Sequence, residues 1–437
     1  MALLVRLTAV SLVLVCASTC CATNPPSFKR VNEVALDHVA VATLDYNFPG
    51  GEPALILTTF FPFGKDGVYC VPNVTSAFDG KQSSLKISTI DDTMKWPNQA
   101  NSVAQGTIVS APNASFLLTA SGFFVSPGKA TGSISLLDIS KFPYSTKTTV
   151  SVPEKNYFYH HAVFHDVNGD GRKDILAARA YKSSLNPFAK SKTNLVWLEQ
   201  PEGDFKNNGN PWVERQITGD DGPGVGFTLC DLDNDNQMEV VASQFFAKQQ
   251  LSLWWCDSPE GHWSDCTNGT NVGSAVIDAA EGAPFFNVEW VDLNNDGKKD
   301  LLATTNTANG KGAVFAYEQP ADFKIKDAKW TVHRLADGYK PTKAFLPGRG
   351  APGTAKSFFV NKKTDKLPSI LVSGDDAGYY DLLVPIGDSP FQYEKIRMAN
   401  STGTVGTPAV SDLDGDGFAE VVLPLFAENK IAFYKFE

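Results

Sequence analysis

Short apolar runs alternate with polar loops along much of the chain. Residues 162–164 and 175–177 enclose one such loop, while residues 240–242 and 421–423 follow two others. The runs are only a few residues long and contain β-branched side chains, which is typical of strands. The pattern predicts a repeated unit of strand, polar loop and strand.

Four of the polar loops share one acidic motif. Side-chain oxygens stand at positions 1, 3 and 5, a turn residue at position 6 and a carboxylate at position 9. These donors suit calcium, a hard cation that takes roughly six to eight oxygens, whereas zinc prefers Cys and His. We therefore expect about four Ca²⁺ sites. Their ligands would be Asp166, Asn168, Asp170 and Asp174; Asp231, Asp233, Asp235 and Glu239; Asp292, Asn294, Asp296 and Asp300; and Asp412, Asp414, Asp416 and Glu420.

The spacing of these loops predicts the number of units. The motif recurs about every 60 residues, and the double-length interval between Asp292 and Asp412 leaves room for one unit without the acids, at residues 356–374. Two further units without the full motif precede the first loop, at residues 39–59 and 103–120. The chain therefore contains seven units.

Each unit also carries a third and a fourth apolar run, as in residues 195–201 and 212–217. Four strands repeated seven times predict an all-β fold, a seven-bladed β-propeller of four-stranded blades. An open array of units would need capping repeats and is the weaker interpretation. The last unit stops after a third strand at residues 431–436, and residues 28–36 resemble a missing fourth strand. We expect these N- and C-terminal strands to pair and close the ring, which removes two exposed edges.

Residues 1–22 have the pattern of a signal peptide. A basic residue, Arg6, precedes a short apolar stretch and a series of small residues, so residues 23–437 would form the secreted, extracellular propeller as a single domain. The apolar stretch is too short to span a bilayer, and we expect no membrane span elsewhere.

Cysteines and glycosylation signals agree with secretion. Four cysteines follow the predicted signal peptide, and Cys256 and Cys266 flank a Gly/Pro/Ser/Asp-containing loop, so we expect a disulfide between them. For Cys70 and Cys230, pairing with each other and buried free thiols both stay open. Four sequons offer sites for a glycoprotein, at Asn73, Asn113, Asn268 and Asn400.

The formal net charge of −10 argues against a nucleic-acid partner. The four acidic loops account for much of this charge, and bound calcium would compensate it. The predicted calcium ligands therefore explain much of the negative charge, and the charge does not by itself indicate a cationic partner.

The acidic loops and their period resemble the FG-GAP or VCBS repeats of the integrin α-chain propeller. The resemblance covers most of residues 23–437 and implies that the sixteen loop residues bind calcium for stability. At one turn Asn236 replaces the usual Gly, but Asn also adopts the left-handed conformation. The architecture is also distantly similar to the propeller of aldos-2-ulose dehydratases. Members of the repeat family differ in function, so the fold alone does not assign one.

Three histidines are the candidate catalytic residues. His38, His160 and His161 would meet at one channel mouth if each lies near the start of an inner strand. They could then hold a transition metal or act on a sugar as acid and base. The list of possible neighbours is Asp37, Glu281, Asn287 and Arg349. Alternatively, His160 and His161 straddle a strand edge and have only structural contacts.

The sequence therefore predicts a secreted calcium-binding propeller that binds an extracellular protein or glycan ligand. The alternative is a secreted sugar lyase or dehydratase that uses the histidines. Three tryptophans, Trp254, Trp255 and Trp263, either stack on sugar rings or pack between blades. The oligomeric state is not predicted.

Overall fold

The computed structural model contains seven antiparallel four-stranded sheets arranged as the blades of a propeller. It describes residues 25–437 except 80–84, 124–126, 145, 184–189, 260, 327–328 and 344–347. The predicted signal peptide at residues 1–22 lies outside the described residues. The all-β, seven-bladed prediction is confirmed.

The blades follow one another along the chain, with the first strand of each innermost. Blades one to three consist of β2 (Val39–Asp45), β3 (Ala54–Thr59), β4 (Gly67–Val71) and β5 (Ser88–Asp91); β6 (Pro97–Val103), β7 (Phe116–Ser121), β8 (Ile134–Asp138) and β9 (Thr146–Thr149); and β10 (Tyr157–His165), β11 (Asp174–Tyr181), β12 (Lys192–Glu199) and β13 (Val213–Gln216).

Blades four to seven have the same order. They consist of β14 (Phe227–Cys230), β15 (Glu239–Gln244), β16 (Gln250–Cys256) and β17 (Val272–Asp278); β18 (Phe285–Val291), β19 (Asp300–Thr305), β20 (Gly312–Glu318) and β21 (Thr331–Tyr339); β22 (Ala355–Phe358), β23 (Ser369–Ser373), β24 (Tyr379–Pro385) and β25 (Tyr393–Asn400); and β26 (Ala409–Ser411), β27 (Glu420–Leu425), β28 (Lys430–Phe436) and β1 (Phe28–Ala35).

Short 3-10 helices occupy some of the loops between strands. In the described part of the chain they are Val74–Phe78, Pro127–Lys129, Asn207–Gly209, Trp263–Asp265, Ala280–Gly282, Asp375–Ala377 and Phe426–Glu428. None of the helices in this part is long and apolar enough to cross a membrane.

Ring closure occurs in blade seven, where the first strand of the chain pairs with the last. β1 lies antiparallel to β28, with Phe28 opposite Phe436 and Val34 opposite Ile431. The predicted pairing of the terminal strands is confirmed. It completes the fourth strand of the last blade and leaves β28 without an open edge.

The hydrophobic core consists of seven clusters, one between each pair of adjoining blades. The second strand of each blade supplies side chains to two of them, because successive side chains of a strand point to opposite faces. In β11, Ile175 packs in the cluster shared with blade two, and Leu176 packs in the cluster shared with blade four. These strands therefore appear in the sequence as continuous apolar runs.

The three tryptophans pack between blades, which is one of the two alternatives predicted from the sequence. Trp254 and Trp263 are buried in the cluster between blades three and four, and Trp255 packs on the next cluster. The Trp263 indole N–H donates to the Met238 carbonyl at 2.9 Å. Sugar stacking on these three rings is therefore not supported.

A disulfide joins Cys256 and Cys266, which confirms the predicted pair. Cys70 and Cys230 are free and buried, and burial raises the pKa of the Cys70 thiol to about 12. The four sequon asparagines are all exposed, and their glycosylation stays a prediction.

Removal of the closing strand should destabilise the ring. A chain that begins at Asp37 lacks β1 and also loses the contacts of Val31 and Val34 with the cluster between blades seven and one. We expect a loss of at least a few kcal/mol of unfolding free energy, with aggregation, because β28 becomes an exposed edge. Thermal unfolding followed by circular dichroism measures this. A chain that begins at Ser27 is the control. Identical melting of the two proteins would contradict closure by β1.

Candidate binding site at the channel mouth

A cavity of about 2570 Å³ lies within the ring of blades. Its walls include the first strands of several blades and the loops that follow the second strands. Because neighbouring strands are antiparallel, the loop after a first strand and the loop after a second strand lie at opposite ends of each blade. The four acidic loops follow first strands and contribute no residue to the cavity wall. The cavity therefore opens at the mouth opposite the acidic loops, here called the channel mouth.

One position of the repeat determines the chemistry of the channel mouth. It lies one or two residues after the second strand of each blade. Four blades have phenylalanine there: Phe60 in blade one, Phe123 in blade two, Phe245 in blade four and Phe426 in blade seven. The other three have polar residues: Lys182 in blade three, Asn306 in blade five and Asp375 in blade six.

The phenylalanines belong to a continuous row of rings, here called the aromatic wall. In order around the mouth, the wall consists of Phe426, Phe60, Trp96, Phe123, Phe246, Phe245 and Phe286. Phe60 stacks on Trp96 with centroids 4.5 Å apart, and Trp96 stacks on Phe123 at 5.2 Å. Most of these side chains are half-buried, so the rings support one another and also face the cavity.

The remaining part of the mouth is polar. This polar corner consists of Asn306, Arg349, Asp375, Asp376 and Thr404. Arg349 forms an ion pair with Asp376, which also accepts hydrogen bonds from the Thr404 hydroxyl at 2.6 Å and the Gly350 N–H at 3.1 Å. Asp375 accepts a hydrogen bond from Asn306 Nδ2 at 3.0 Å. Burial, and then the neighbouring Asp376, raise the pKa of Asp375 well above its usual value.

His160 and His161 lie inside strand β10 and line the cavity. His160 packs edge-on against Phe123 and Phe158, with centroids 5.5 Å away in both cases. Burial lowers the pKa of His160 to about 3 and that of His161 to about 4. Both rings are therefore neutral at physiological pH.

His38 lies apart from this pair. It precedes β2, stacks on Phe61 with centroids 4.1 Å apart, and is not among the residues of the cavity wall. In the described part of the chain, no histidine belongs to a group of three possible metal ligands whose atoms lie within 4.8 Å of one another. The geometry therefore does not support a three-histidine metal site.

Only some of the residues expected near the histidines line the cavity. Asn287 and Arg349 line the cavity, whereas Asp37 is exposed and lies outside its wall. Glu281 belongs to the 3-10 helix Ala280–Gly282. Sequence reasoning therefore found Arg349 but associated it with the wrong partners, because its contacts are in the polar corner.

The acidic loops form tight turns at the other end of the blades. In blade five, Asp292 Oδ1 accepts from the Asn295 N–H at 2.7 Å, and Asp292 Oδ2 accepts from the Gly297 N–H at 3.0 Å. The ninth-position acid, Asp300, is buried and accepts from the Leu293 N–H at 3.1 Å. Equivalent bonds form in the other three loops, so all four motifs have a common backbone frame.

The donor set of these loops fits a hard cation. In blade four, oxygens of Asp231, Asp233 and Glu239 lie within 4.8 Å of one another, and Asp412, Asp414 and Glu420 do the same in blade seven. Blades three and five have Asn168 and Asn294 at the third position, so an amide oxygen replaces one carboxylate there. Burial raises the pKa of the ninth-position acids, to about 8 for Glu239 and about 6 for Asp174 and Asp300.

Blade seven differs because a lysine approaches its loop. Lys435 Nζ lies 2.6 Å from Asp414 Oδ2, 3.5 Å from Glu420 Oε1 and 3.7 Å from Asp416 Oδ2. Glu420 Oε1 is buried and has no hydrogen-bond partner among the described atoms. The ammonium group therefore supplies part of the positive charge that a metal ion would supply in this loop.

Comparison with known proteins identifies the repeat. The model of the FG-GAP-like repeat family matches residues 166–242, which include the acidic loops of blades three and four. The chain is a seven-bladed propeller in which residues 166–242 match the FG-GAP-like repeat. The resemblance to aldos-2-ulose dehydratases stays a prediction.

The other comparisons carry no argument about this chain. No curated protein gives a significant match. Among solved structures, the BP39L lectin from Burkholderia pseudomallei is similar over 90% of this chain and 97% of its own, with 12% sequence identity and a TM-score of 0.47. This similarity carries no argument about a ligand.

Sequence reasoning missed the aromatic wall of this propeller. The signal was present, because a phenylalanine follows the second strand closely in four blades. It becomes visible only when the seven units are aligned by strand. Trp96 and Phe286 come from other positions, so only the folded ring shows that they belong to the same row.

The neutral state of His160 predicts acid sensitivity. Because its folded pKa is about 3 and that of an unfolded histidine is about 6.5, the unfolded chain binds more protons between these values. Stability should fall as the pH drops through this window, by about 1–2 kcal/mol at pH 5 from this residue. His160→Phe should lose that contribution. Urea unfolding at pH 7 and pH 5 measures it, and equal acid sensitivity of the two proteins would contradict a buried neutral His160.

Proposed function

We propose that this protein is a secreted, calcium-stabilised module that binds a carbohydrate at the channel mouth. The observation that carries the proposal is the cavity itself, which has an aromatic wall on one side and hydrogen-bonding side chains on the other. Sugar rings combine apolar faces with hydroxyl edges. They can stack on aromatic rings while their hydroxyl groups bond to polar side chains.

The dimensions of the cavity favour an oligosaccharide. Small-molecule pockets are typically about 300–1,000 Å³, and the cavity of about 2570 Å³ is larger than this range. Several rings of the wall are arranged in sequence, so that consecutive sugar units could each find a ring. A single small ligand would leave most of the wall uncovered.

Calcium is proposed for the opposite end of the blades, in the four acidic loops. The oxygen donors and the close carboxylates of blades four and seven support this assignment. The ion would neutralise acids that now face one another, and the loop residues would hold it between the first and second strands. Secretion is supported by the disulfide and by the exposed sequon asparagines.

The lyase alternative has less support. A general base works best with a pKa near the operating pH. His160 and His161 line the cavity, but their low pKa values make both of them weak bases. The geometry therefore favours binding over sugar elimination.

The binding proposal is tested on a glycan array, followed by calorimetry with the best oligosaccharide. Phe426→Ala and Phe245→Ala should each weaken binding by about fivefold or more, because each removes one stacking ring worth roughly 1 kcal/mol or more.

Phe63→Ala is the matched control. Phe63 is 91% exposed, lies three residues after Phe60 and is not part of the cavity wall. Its substitution should leave affinity unchanged. Absence of any glycan ligand, or equal loss in all three variants, would overturn the proposal of a carbohydrate site at the mouth, and a protein ligand would then be the next candidate.

Calcium removal should lower the melting temperature. At about 1 mM calcium and dissociation constants of about 0.1–1 mM, linkage gives roughly 0.4–1.4 kcal/mol of stability for each site. Asp296→Ala should reproduce part of the loss caused by a chelator, without changing glycan affinity at the other mouth. Differential scanning calorimetry with calcium and with excess chelator measures the effect.

Asp416→Ala is the matched comparison for Asp296→Ala. Both residues stand at the fifth position of a loop, but Lys435 already supplies positive charge near Asp416. The blade-seven variant should therefore show the smaller calcium-dependent loss. If the chelator leaves the wild-type melting curve unchanged, the loops do not bind calcium for stability.

A further inference from the structure

We propose that the carbohydrate carries a free amine and that Asp375 binds its ammonium group. This inference rests on the proposed function and specifies the ligand class, namely an oligosaccharide of unacetylated amino sugars. The decisive contact would be made in the polar corner, while the sugar rings lie on the aromatic wall.

Asp375 is presented to the cavity by an unusual backbone. It begins the 3-10 helix Asp375–Ala377 directly beyond β23, with φ of 52°. Asp is one of the few residues with a side chain that adopt this left-handed conformation, and local contacts hold it here. These contacts are with the Asn306 amide and the Val405 N–H, which donates to the Asp375 carbonyl at 3.1 Å. The carboxyl group is therefore held at a defined place in the wall.

The charges of the polar corner leave Asp375 without a cation of its own. Arg349 forms its ion pair with Asp376, which the Thr404 hydroxyl and the Gly350 N–H also contact. In the described part of the chain, Asp375 takes part in no ion pair and is bonded by the neutral Asn306 amide. A ligand ammonium group would supply the positive charge that stabilises the ionised form of this carboxyl, which burial and Asp376 otherwise disfavour.

The cavity wall also includes Lys182, Lys311, Arg334 and Lys356, and the last two have contacts elsewhere. The Arg334 guanidinium lies over the Phe315 ring, 5.2 Å from its centroid. Lys356 lies near Glu289, and its charge opposes the effect of burial on the Glu289 pKa. Neither side chain replaces a ligand cation at Asp375.

Aromatic rings on both sides of the polar corner add to this preference. Phe426 is adjacent to Ala427, whose N–H donates to the Thr404 carbonyl at 3.0 Å. On the other side, the Asn306 N–H donates to the Pro284 carbonyl at 2.9 Å, close to Phe286 in the sequence. Ring faces carry partial negative charge and attract cations. The rings of the aromatic wall therefore favour an ammonium group over a neutral acetamide on the ligand.

The test compares a tetramer of glucosamine with a tetramer of N-acetylglucosamine by calorimetry, at a pH where the amine is protonated. The wild-type protein should prefer the glucosamine tetramer by about tenfold or more, since hydrogen bonds between charged groups are stronger than those between neutral groups. Asp375→Asn should reduce that preference to about one while binding of the acetylated tetramer persists.

Asp337→Asn is the control, because Asp337 also lines the cavity but is exposed and lies near Arg334. It should retain the full preference. Equal or tighter binding of the acetylated tetramer by the wild-type protein would overturn the inference, even if Asp375→Asn fails to fold. An unchanged preference in a folded Asp375→Asn variant would overturn it as well. Binding of neither tetramer, nor of any other glycan, would instead refute the proposed carbohydrate function itself.

Discussion

Apolar packing between adjoining blades is the interaction on which the rest of this structure depends. The second strand of each blade is buried on both faces. Its side chains pack alternately in the two neighbouring clusters, as Ile175 and Leu176 do in β11. No blade buries its own faces alone. At the seventh interface, between blades seven and one, β1 pairs with β28 and packs Val31 and Val34 against the shared cluster. The cavity and both sets of loops keep their geometry because this ring is closed.

The two types of loop lie at opposite ends of each blade, one strand length apart. Loops after the first strands carry the acidic motifs, and loops after the second strands form the channel mouth. Each set can therefore change without disturbing the other. Blade six illustrates this independence. Its first loop retains only Asn361 and Asp365, with the Asn361 N–H donating to Asp365 at 2.7 Å, whereas its second loop supplies Asp375 and Asp376 to the mouth.

The two sides of the mouth differ in chemistry because the blades are unequal. Phenylalanine at one repeated position makes most of the rim apolar, and the exceptions in blades five and six concentrate hydrogen-bonding groups at one place. Seven identical blades would give a uniform ring that could not orient a ligand. Because the aromatic wall and the polar corner differ, a ligand would bind in a defined orientation. Its apolar faces would stack on the rings, and a polar or charged group would face the Asp375 carboxyl.

The sequence by itself determined the fold, the number of blades, the pairing of the terminal strands and the Cys256–Cys266 disulfide. These follow from local features, because strand periodicity, repeat length and loop motifs are properties of neighbouring residues. It also located the acidic loops, whose turn bonds are local. Only the tertiary structure showed that His38 lies apart from His160 and His161, and that Trp96 belongs to one row with Phe60 and Phe123. Such spatial relations involve residues that are distant in sequence, and their distances depend on how the strands and the adjoining blades pack.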